Sequence, residues 1–154
     1  MEKTELYETF QKGLTSVNGE SYIAKKADVA ATLTKIFQDK DTHEVALVET
    51  PLLKEIGAVD ALKAAGIKVD TDHFRKNAPD DKGGVTEADY GIANLGSIVQ
   101  MKDDIDCRIV ETVSDVYVGI VKLSKIVDTF DDMIDIMAET KPFPKFAGII
   151  TGPS

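Results

Sequence analysis

The first seventy residues alternate between helical spacing of apolar positions and short continuous apolar runs. Two amphipathic helices are predicted first, and the run 45–48 is typical of a strand covered on both faces. Thr50 and Pro51 then predict the start of a third helix, because they fit its cap and its first turn. Gly66 predicts the end of that helix, and 67–69 the next strand. The apolar positions of the first two helices are Leu6, Phe10, Leu14 and Val17, then Val29, Leu33, Ile36 and Phe37.

The segment that follows is polar and rich in turn-forming residues. Residues 70–84 contain asparagine, proline and two glycines, and they predict a long irregular loop. Thr86 and Asp89 have the spacing of a helix cap and its partner, so 87–93 is expected to form a short helix. Gly96 is expected to let the chain turn from that helix into the next strand.

The second half predicts a mixed sheet. Residues 97–101 and 108–113 are expected to be two strands of a hairpin, and 116–123 is the strongest strand pattern in the chain. Thr129 caps a helix, with Asp132 at the capping-box position, and 146–150 is a last buried strand. Strands separated by helices in the first half indicate a parallel arrangement. We therefore expect an α/β fold with an open, mostly parallel sheet flanked by helices and mixed in its second half.

Composition narrows the function classes. The chain has 154 residues, which fits one domain over 1–154, and 18 basic against 27 acidic residues give a net charge of −9. That charge disfavours nucleic acid and anionic membrane surfaces as partners. The stretch without a charge from Tyr90 to Met101 is too short to span a membrane, and the N-terminus lacks the apolar core of a signal peptide. We expect a cytoplasmic protein.

The metal-ligating residue types are sparse. Cys107 is the single cysteine and cannot hold an iron–sulfur cluster alone. His43 and His73 lie in polar surroundings without a second ligand at metal spacing. We expect no cofactor and no metal bound within one chain.

Two segments carry small polar residues at the ends of predicted strands, where open α/β sheets bind ligands. One is 83–99 and the other is 149–154. Ordinary turn chemistry explains each segment equally well on spacing alone. We expect one shared concavity at the carboxyl edge of the sheet, suited to a carboxylate or phosphate. Its expected lining is Thr86, Asn94, Gly96, Ser97, Thr151, Gly152 and Ser154.

Together these segments resemble the LUD-domain family, the lactate-utilisation protein C-like proteins. The family signature, Gly-Val/Ile-Thr-x-Ala-Asp/Glu-x-x-Ile-Ala-Glu-Thr-Gly-Thr/Ser-Leu/Ile-Val, corresponds to Gly84–Val99, and a later Thr-Gly-Pro-Ser corresponds to Thr151–Ser154. The resemblance implies a fold like that of NagB, RpiA and CoA transferases. It also implies a part in oxidising L-lactate to pyruvate beside iron–sulfur partner subunits.

The chain departs from the family pattern at three positions. Asn94 and Leu95 stand where the family has Glu and Thr, and an asparagine amide cannot act as the nucleophilic glutamate of CoA transferases of similar fold. Tyr117 stands where many members have His, and the unperturbed phenol is a poor base at neutral pH. The family also continues beyond Thr-Gly-Pro-Ser, which leaves two alternatives open for the single LUD-like domain: a short member without the family's C-terminal segment, or a sequence that stops before that segment.

Three functions stay open at this point. The first is an accessory or binding subunit of an L-lactate or related organic acid utilisation system, favoured by the missing Glu and His. The second is an enzyme acting on a small phosphorylated or CoA-linked metabolite, in which Glu87 or Asp89 would be the acid–base group. The third is a structural protein kept for assembly. We expect a homo-oligomer, because 146–150 leaves an apolar edge strand near the chain end.

Overall fold

A computed structural model describes residues 3–102, 105–141 and 146–150, with the side chain of Phe146 left out. The chain divides into two compact units. We call residues 23–87 and 105–120 the parallel unit, and residues 1–22, 88–104 and 121–154 the mixed unit. The helices are α1 (Lys3–Thr15), α2 (Val29–Asp39), α3 (Pro51–Glu55), α4 (Ala58–Ala64), α5 (Phe74–Asp81), α6 (Asp106–Val113) and α7 (Phe130–Glu139). The strands are β1 (Glu44–Leu47), β2 (Lys68–Asp70), β3 (Lys82–Glu87), β4 (Tyr90–Ile92), β5 (Ser97–Lys102), β6 (Val116–Ile120), β7 (Ile126–Val127) and β8 (Phe146–Ile150).

The parallel unit is a four-stranded sheet in the order β2-β1-β3-β6, with every neighbouring pair parallel. Helices cover both faces. Alternate residues of β1 show this: Val45 and Leu47 pack with α2, α3 and α4, whereas Ala46 packs with α5 and α6. Burial on both faces is why the strand is continuously apolar.

The third helix begins as its sequence predicts and is interrupted once. The Thr50 hydroxyl accepts a hydrogen bond from the Leu53 amide, and Pro51 occupies the first turn. Gly57 then adopts φ +68, which divides the predicted helix into α3 and α4. Gly66 follows α4 with φ +83, in keeping with its predicted role at the helix end.

The mixed unit is a second four-stranded sheet, in the order β7-β4-β5-β8. β5 runs antiparallel to β4 and to β8, while β4 and β7 are parallel. The apolar face of α1 packs on Ile98 of β5 and Ile126 of β7, and α7 packs on Val99 of β5. The predicted capping box at the start of α7 is formed, with Thr129 and Asp132 bonding each other's backbone. The predicted α/β class, parallel in the first half and mixed in the second, is confirmed.

Three local predictions were wrong. The predicted helix 87–93 is the end of β3, a turn and β4, because pairing with β5 binds the backbone there. The predicted strand 108–113, with the hairpin it implied, is part of α6. Its β-branched residues obscured a helical spacing, visible in buried Cys107 and Val110. The predicted loop 70–84 contains α5 and the start of β3. The hairpin tip at 103–104 lies outside the described residues.

Candidate functional site

Thr86 lies near the carboxyl end of β3 and is fully buried. Its side chain lies on the sheet face that α5 and α6 cover. The prediction that Thr86 caps a helix was wrong, because Thr86 lies within β3. The Thr86 hydroxyl donates a hydrogen bond of 3.2 Å to Glu111 Oε1, a half-buried residue of α6. Thr86 is therefore hydrogen-bonded to the carboxylate of Glu111, which lies 25 residues away in the sequence.

Tyr117 on β6 completes the cluster. In the parallel register Gly84 is opposite Tyr117 and Thr86 is opposite Gly119. Because Gly119 has no side chain, the phenol can reach along the sheet to Thr86, and the two hydroxyl oxygens lie 2.5 Å apart. We call Thr86, Glu111 and Tyr117 the hydroxyl–carboxylate cluster.

The proton order within the cluster follows from counting donors. A threonine hydroxyl has one proton, and a carboxylate only accepts. Since Thr86 donates to Glu111, the phenol of Tyr117 must donate to Thr86. The chain of hydrogen bonds runs from Tyr117 through Thr86 to Glu111, and it aligns their dipoles in one direction.

Gly84 explains how α6 comes close enough for Glu111 to reach the sheet. A side chain at Gly84 would overlap Ser114 Oγ and would meet Val110 Cγ1 at 2.7 Å. Only glycine leaves room for α6 at this distance from β3. The glycine of the motif therefore has a packing role that brings the carboxylate into place.

The cluster lies near the part of the parallel sheet where open sheets of this kind bind ligands. The chain goes from β1 to β2 on one side, then crosses by α5 to β3 on the other side of β1. The connections thus reverse direction between β1 and β3, and ligands bind outside the carboxyl ends of strands at such a point. Thr86 is the next-to-last residue of β3.

The other described site residues lie in the mixed unit. Asn94 is exposed, and its backbone amide donates to the Asp128 carbonyl. Ser97 is buried at the start of β5. The β5–β8 register places Ile98 opposite Ile150, so β5 begins where β8 ends. Thr151, Gly152 and Ser154 follow β8 and lie outside the described residues, and the convergence of the whole set stays a prediction.

Gly96 has the positive φ that the turn was expected to need, at +63. The space beside it is filled by α1. A side chain at Gly96 would overlap the Leu14 amide and would meet the Gly13 carbonyl carbon at 2.5 Å. Gly96 therefore serves a close contact between a helix and a turn, and does not border an open concavity.

Asp89 is a structural tie and not a helix-terminal residue. Its carboxylate accepts hydrogen bonds from the Met101 amide at 2.6 Å and from Lys102 Nζ at 2.9 Å. Its own amide donates to the Val99 carbonyl. These bonds hold the end of the β4–β5 hairpin and leave Asp89 a poor candidate for the acid–base role.

Glu111 is the residue that sequence reasoning missed. Assigning 108–113 to a strand gave no reason to connect it with Thr86. The spacing of Cys107, Val110 and Ser114 would have indicated a helix with Glu111 at the border of its buried face.

Among residues 3–102, 105–141 and 146–150, no three His, Cys, Asp or Glu side chains are placed to hold a metal ion. In the same part of the chain, every helix falls short of the length and apolar content that crossing a bilayer requires.

Comparisons with known proteins agree with this fold. A crystal structure of a DUF162 family protein from Deinococcus radiodurans is similar to it, with a TM-score of 0.73 and 12% sequence identity. The match covers 98% of this chain and 89% of the other. A search of curated proteins found no match. The family model described as LUD domain matches residues 7–154, and the chain therefore belongs to the LUD-domain family.

Proposed function

We propose that this chain is a cytoplasmic accessory subunit of an L-lactate or related organic acid utilisation system, and that it binds the small acid at the hydroxyl–carboxylate cluster. One observation carries the proposal. Thr86, from the family signature, and Tyr117, at the position where many members have His, bond each other directly. Two positions that the family resemblance singles out separately thus belong to one cluster.

The chemistry of the cluster suits a 2-hydroxy acid. Each carboxylate oxygen accepts more than one hydrogen bond, so Glu111 can bond a substrate hydroxyl as well as Thr86. The keto oxygen of a 2-oxo acid has no proton to offer, and two acceptors facing each other repel. We expect the reduced acid to bind more tightly than the oxidised one.

Isothermal titration with L-lactate and with pyruvate tests this proposal. L-lactate should bind at least about tenfold more tightly, which corresponds to about 1.4 kcal/mol. Glu111→Gln should reduce that preference, because an amide can donate to a keto oxygen as well as accept. Equal binding of both acids, or a preference that survives Glu111→Gln, would contradict the proposal.

A second candidate is an enzyme acting on a CoA-linked or phosphorylated metabolite. Glu111 favours it, since a glutamate beside the signature threonine restores the type of nucleophile that Asn94 cannot supply. Incubation with an acyl-CoA would break its thioester, release the free carboxylate and leave CoA bound to Glu111 as a new thioester, and intact-mass measurement would detect this adduct. The adduct should be absent in Glu111→Gln and present in Glu87→Gln; an unmodified protein would exclude this candidate for the acyl-CoA used.

Assembly is the remaining part of the proposal. We propose iron–sulfur subunits as protein partners, and a homo-oligomer formed through β8. In the described residues β8 is the last strand of its sheet, and Ile149 on it is 41% exposed. Co-purification from native cells tests the iron–sulfur partners, and light scattering tests the homo-oligomer. A monodisperse monomer at high concentration would overturn the oligomer.

The remaining predicted residues form a second proposed binding surface, at the edge of the mixed sheet where β5 begins and β8 ends. Asn94→Ala should weaken acid binding by about 1 kcal/mol without changing stability if this surface contributes. Unchanged binding would limit the site to the hydroxyl–carboxylate cluster.

A further inference from the structure

Two carboxyl groups are buried together where α5 ends beside β2. Asp81, the last residue of α5, is 1% exposed, and Asp70, the last residue of β2, has a side chain that is 19% exposed. With both groups ionised, the Oδ2 atom of each is buried and accepts no hydrogen bond among the described residues, although Lys68 forms an ion pair with Asp70. A buried carboxylate without a partner is costly, and protonation removes that cost.

The surroundings of Asp81 favour its protonated form. Burial is the main cause, and hydrogen bonding and repulsion from Asp70 add to it, raising the pKa of Asp81 to about 7. Lys68, whose Nζ lies 3.5 Å from Asp70 Oδ2, acts in the opposite direction, and Glu44 on β1 adds a small repulsion. From α6, Val110 and Ile109 belong to the apolar cluster that also contains Phe74 and Ala78 of α5.

The backbone of α5 and of the two residues that flank it has features that weaken a helix. His73 before the helix and Lys82 after it both have positive φ, at 50 and 64, and His73 has the left-handed helical conformation. Such conformations are costly for residues other than glycine. Pro79 lies inside the helix, and two apolar residues, Phe74 and Ala78, hold it to the sheet. A two-turn helix with these features opens at low cost.

We infer that α5 is a proton-controlled element of the parallel unit: a proton on Asp81, beside Asp70, keeps it closed, and loss of that proton opens it. Opening reaches the hydroxyl–carboxylate cluster by two routes. β3, which carries Thr86, begins directly after Asp81, and α6, which carries Glu111, packs against α5.

Limited trypsin digestion at pH 8 tests the inference by comparing variants at one pH. Cleavage after Arg75 and Lys76, both exposed residues of α5, reports its opening. Asp81→Asn retains the shape of the protonated carboxyl and cannot ionise. It should slow cleavage at these two bonds at least about tenfold, the change that one pKa unit represents.

Two comparisons distinguish local opening from general stability. Asp80→Asn removes a neighbouring exposed carboxylate and should leave cleavage unchanged. Cleavage after Lys63 in α4 should slow much less than cleavage within α5 in the Asp81 variant. Equal slowing at both places, or no slowing in α5, would overturn the inference.

A second variant and a second measurement test the inference even if Asp81→Asn does not fold. Asp70→Asn also removes one charge of the pair and should protect α5 at pH 8. In the unmodified protein, amide exchange at 75–81, corrected for intrinsic rates, should be better protected at pH 6 than at pH 8. Equal protection at the two pH values would contradict proton control, whichever variant folds.

Discussion

The hydroxyl oxygens of Thr86 and Tyr117 lie 2.5 Å apart on neighbouring parallel strands, and Thr86 passes the hydrogen bond on to Glu111. Residues in one network show coupled effects on stability. We therefore expect Thr86→Val and Tyr117→Phe each to lower the free energy of unfolding by about 1–2 kcal/mol. The double variant should lose less than their sum by at least about 0.5 kcal/mol in urea titrations. Strict additivity would show that the two hydroxyls act independently.

Two independent features require glycine at position 96: its positive φ and its close contact with α1. Gly96→Ala should lower the free energy of unfolding by about 1–2 kcal/mol for its positive φ, and by a further 1–3 kcal/mol, approximately, for overlap with the Leu14 amide. Gly66→Ala is the matched control, because Gly66 has φ +83 and nothing within 4 Å of an added side chain. Thermal and urea unfolding should show a clearly larger loss at Gly96. Equal losses would mean that α1 does not restrict this position.

Stability should depend on pH through Asp81. The pKa of Asp81 rises from 3.8 to about 7 on folding, so the folded chain keeps a proton that the unfolded chain has lost between these values. Stability therefore falls as pH rises from about 4 to about 7, by on the order of 1 kcal/mol per pH unit, and then levels off. Asp81→Asn should flatten this slope in urea titrations, and Asp80→Asn should retain it. Parallel slopes in all three proteins would refute the assignment.

Asp89 should matter for folding and not for ligand binding. Asp89→Ala removes acceptors from the Met101 amide and from Lys102 Nζ, so we expect a loss of about 1–3 kcal/mol in the free energy of unfolding. Acid affinity should stay within about twofold of the unmodified protein, measured by titration calorimetry below the unfolding range. A selective loss of affinity would restore Asp89 as a site residue.

The sequence predicted the elements whose signal is local. The caps at Thr50 and Thr129 need only a hydroxyl at the right distance from backbone amides, and both are formed. Continuous apolar runs likewise identified β1, which is covered on both faces, and β6, which is half-buried at the end of the same sheet.

The failures came where tertiary contacts override local preference. Thr86 and Asp89 have the spacing of a capping pair, yet Thr86 bonds Glu111 and Asp89 bonds the β5 backbone. Glu111 lies 25 residues from Thr86, and only the packing of α6 on Gly84 brings them together. Local periodicity contains no information on such a contact, so the carboxylate of the cluster could not be found from the sequence alone.

The central claim is that the hydroxyl–carboxylate cluster binds a small hydroxy acid. Titration calorimetry of L-lactate against the unmodified protein, Tyr117→Phe and Tyr90→Phe tests it most directly. Tyr90 is a half-buried tyrosine of the mixed unit, with Lys125 over its ring, and serves as the matched control. We predict that Tyr117→Phe weakens binding about fivefold to tenfold, because it removes the hydrogen bond that orients Thr86 and, through Thr86, Glu111, while Tyr90→Phe binds normally. Unchanged affinity in Tyr117→Phe, or equal losses in both variants, would contradict it.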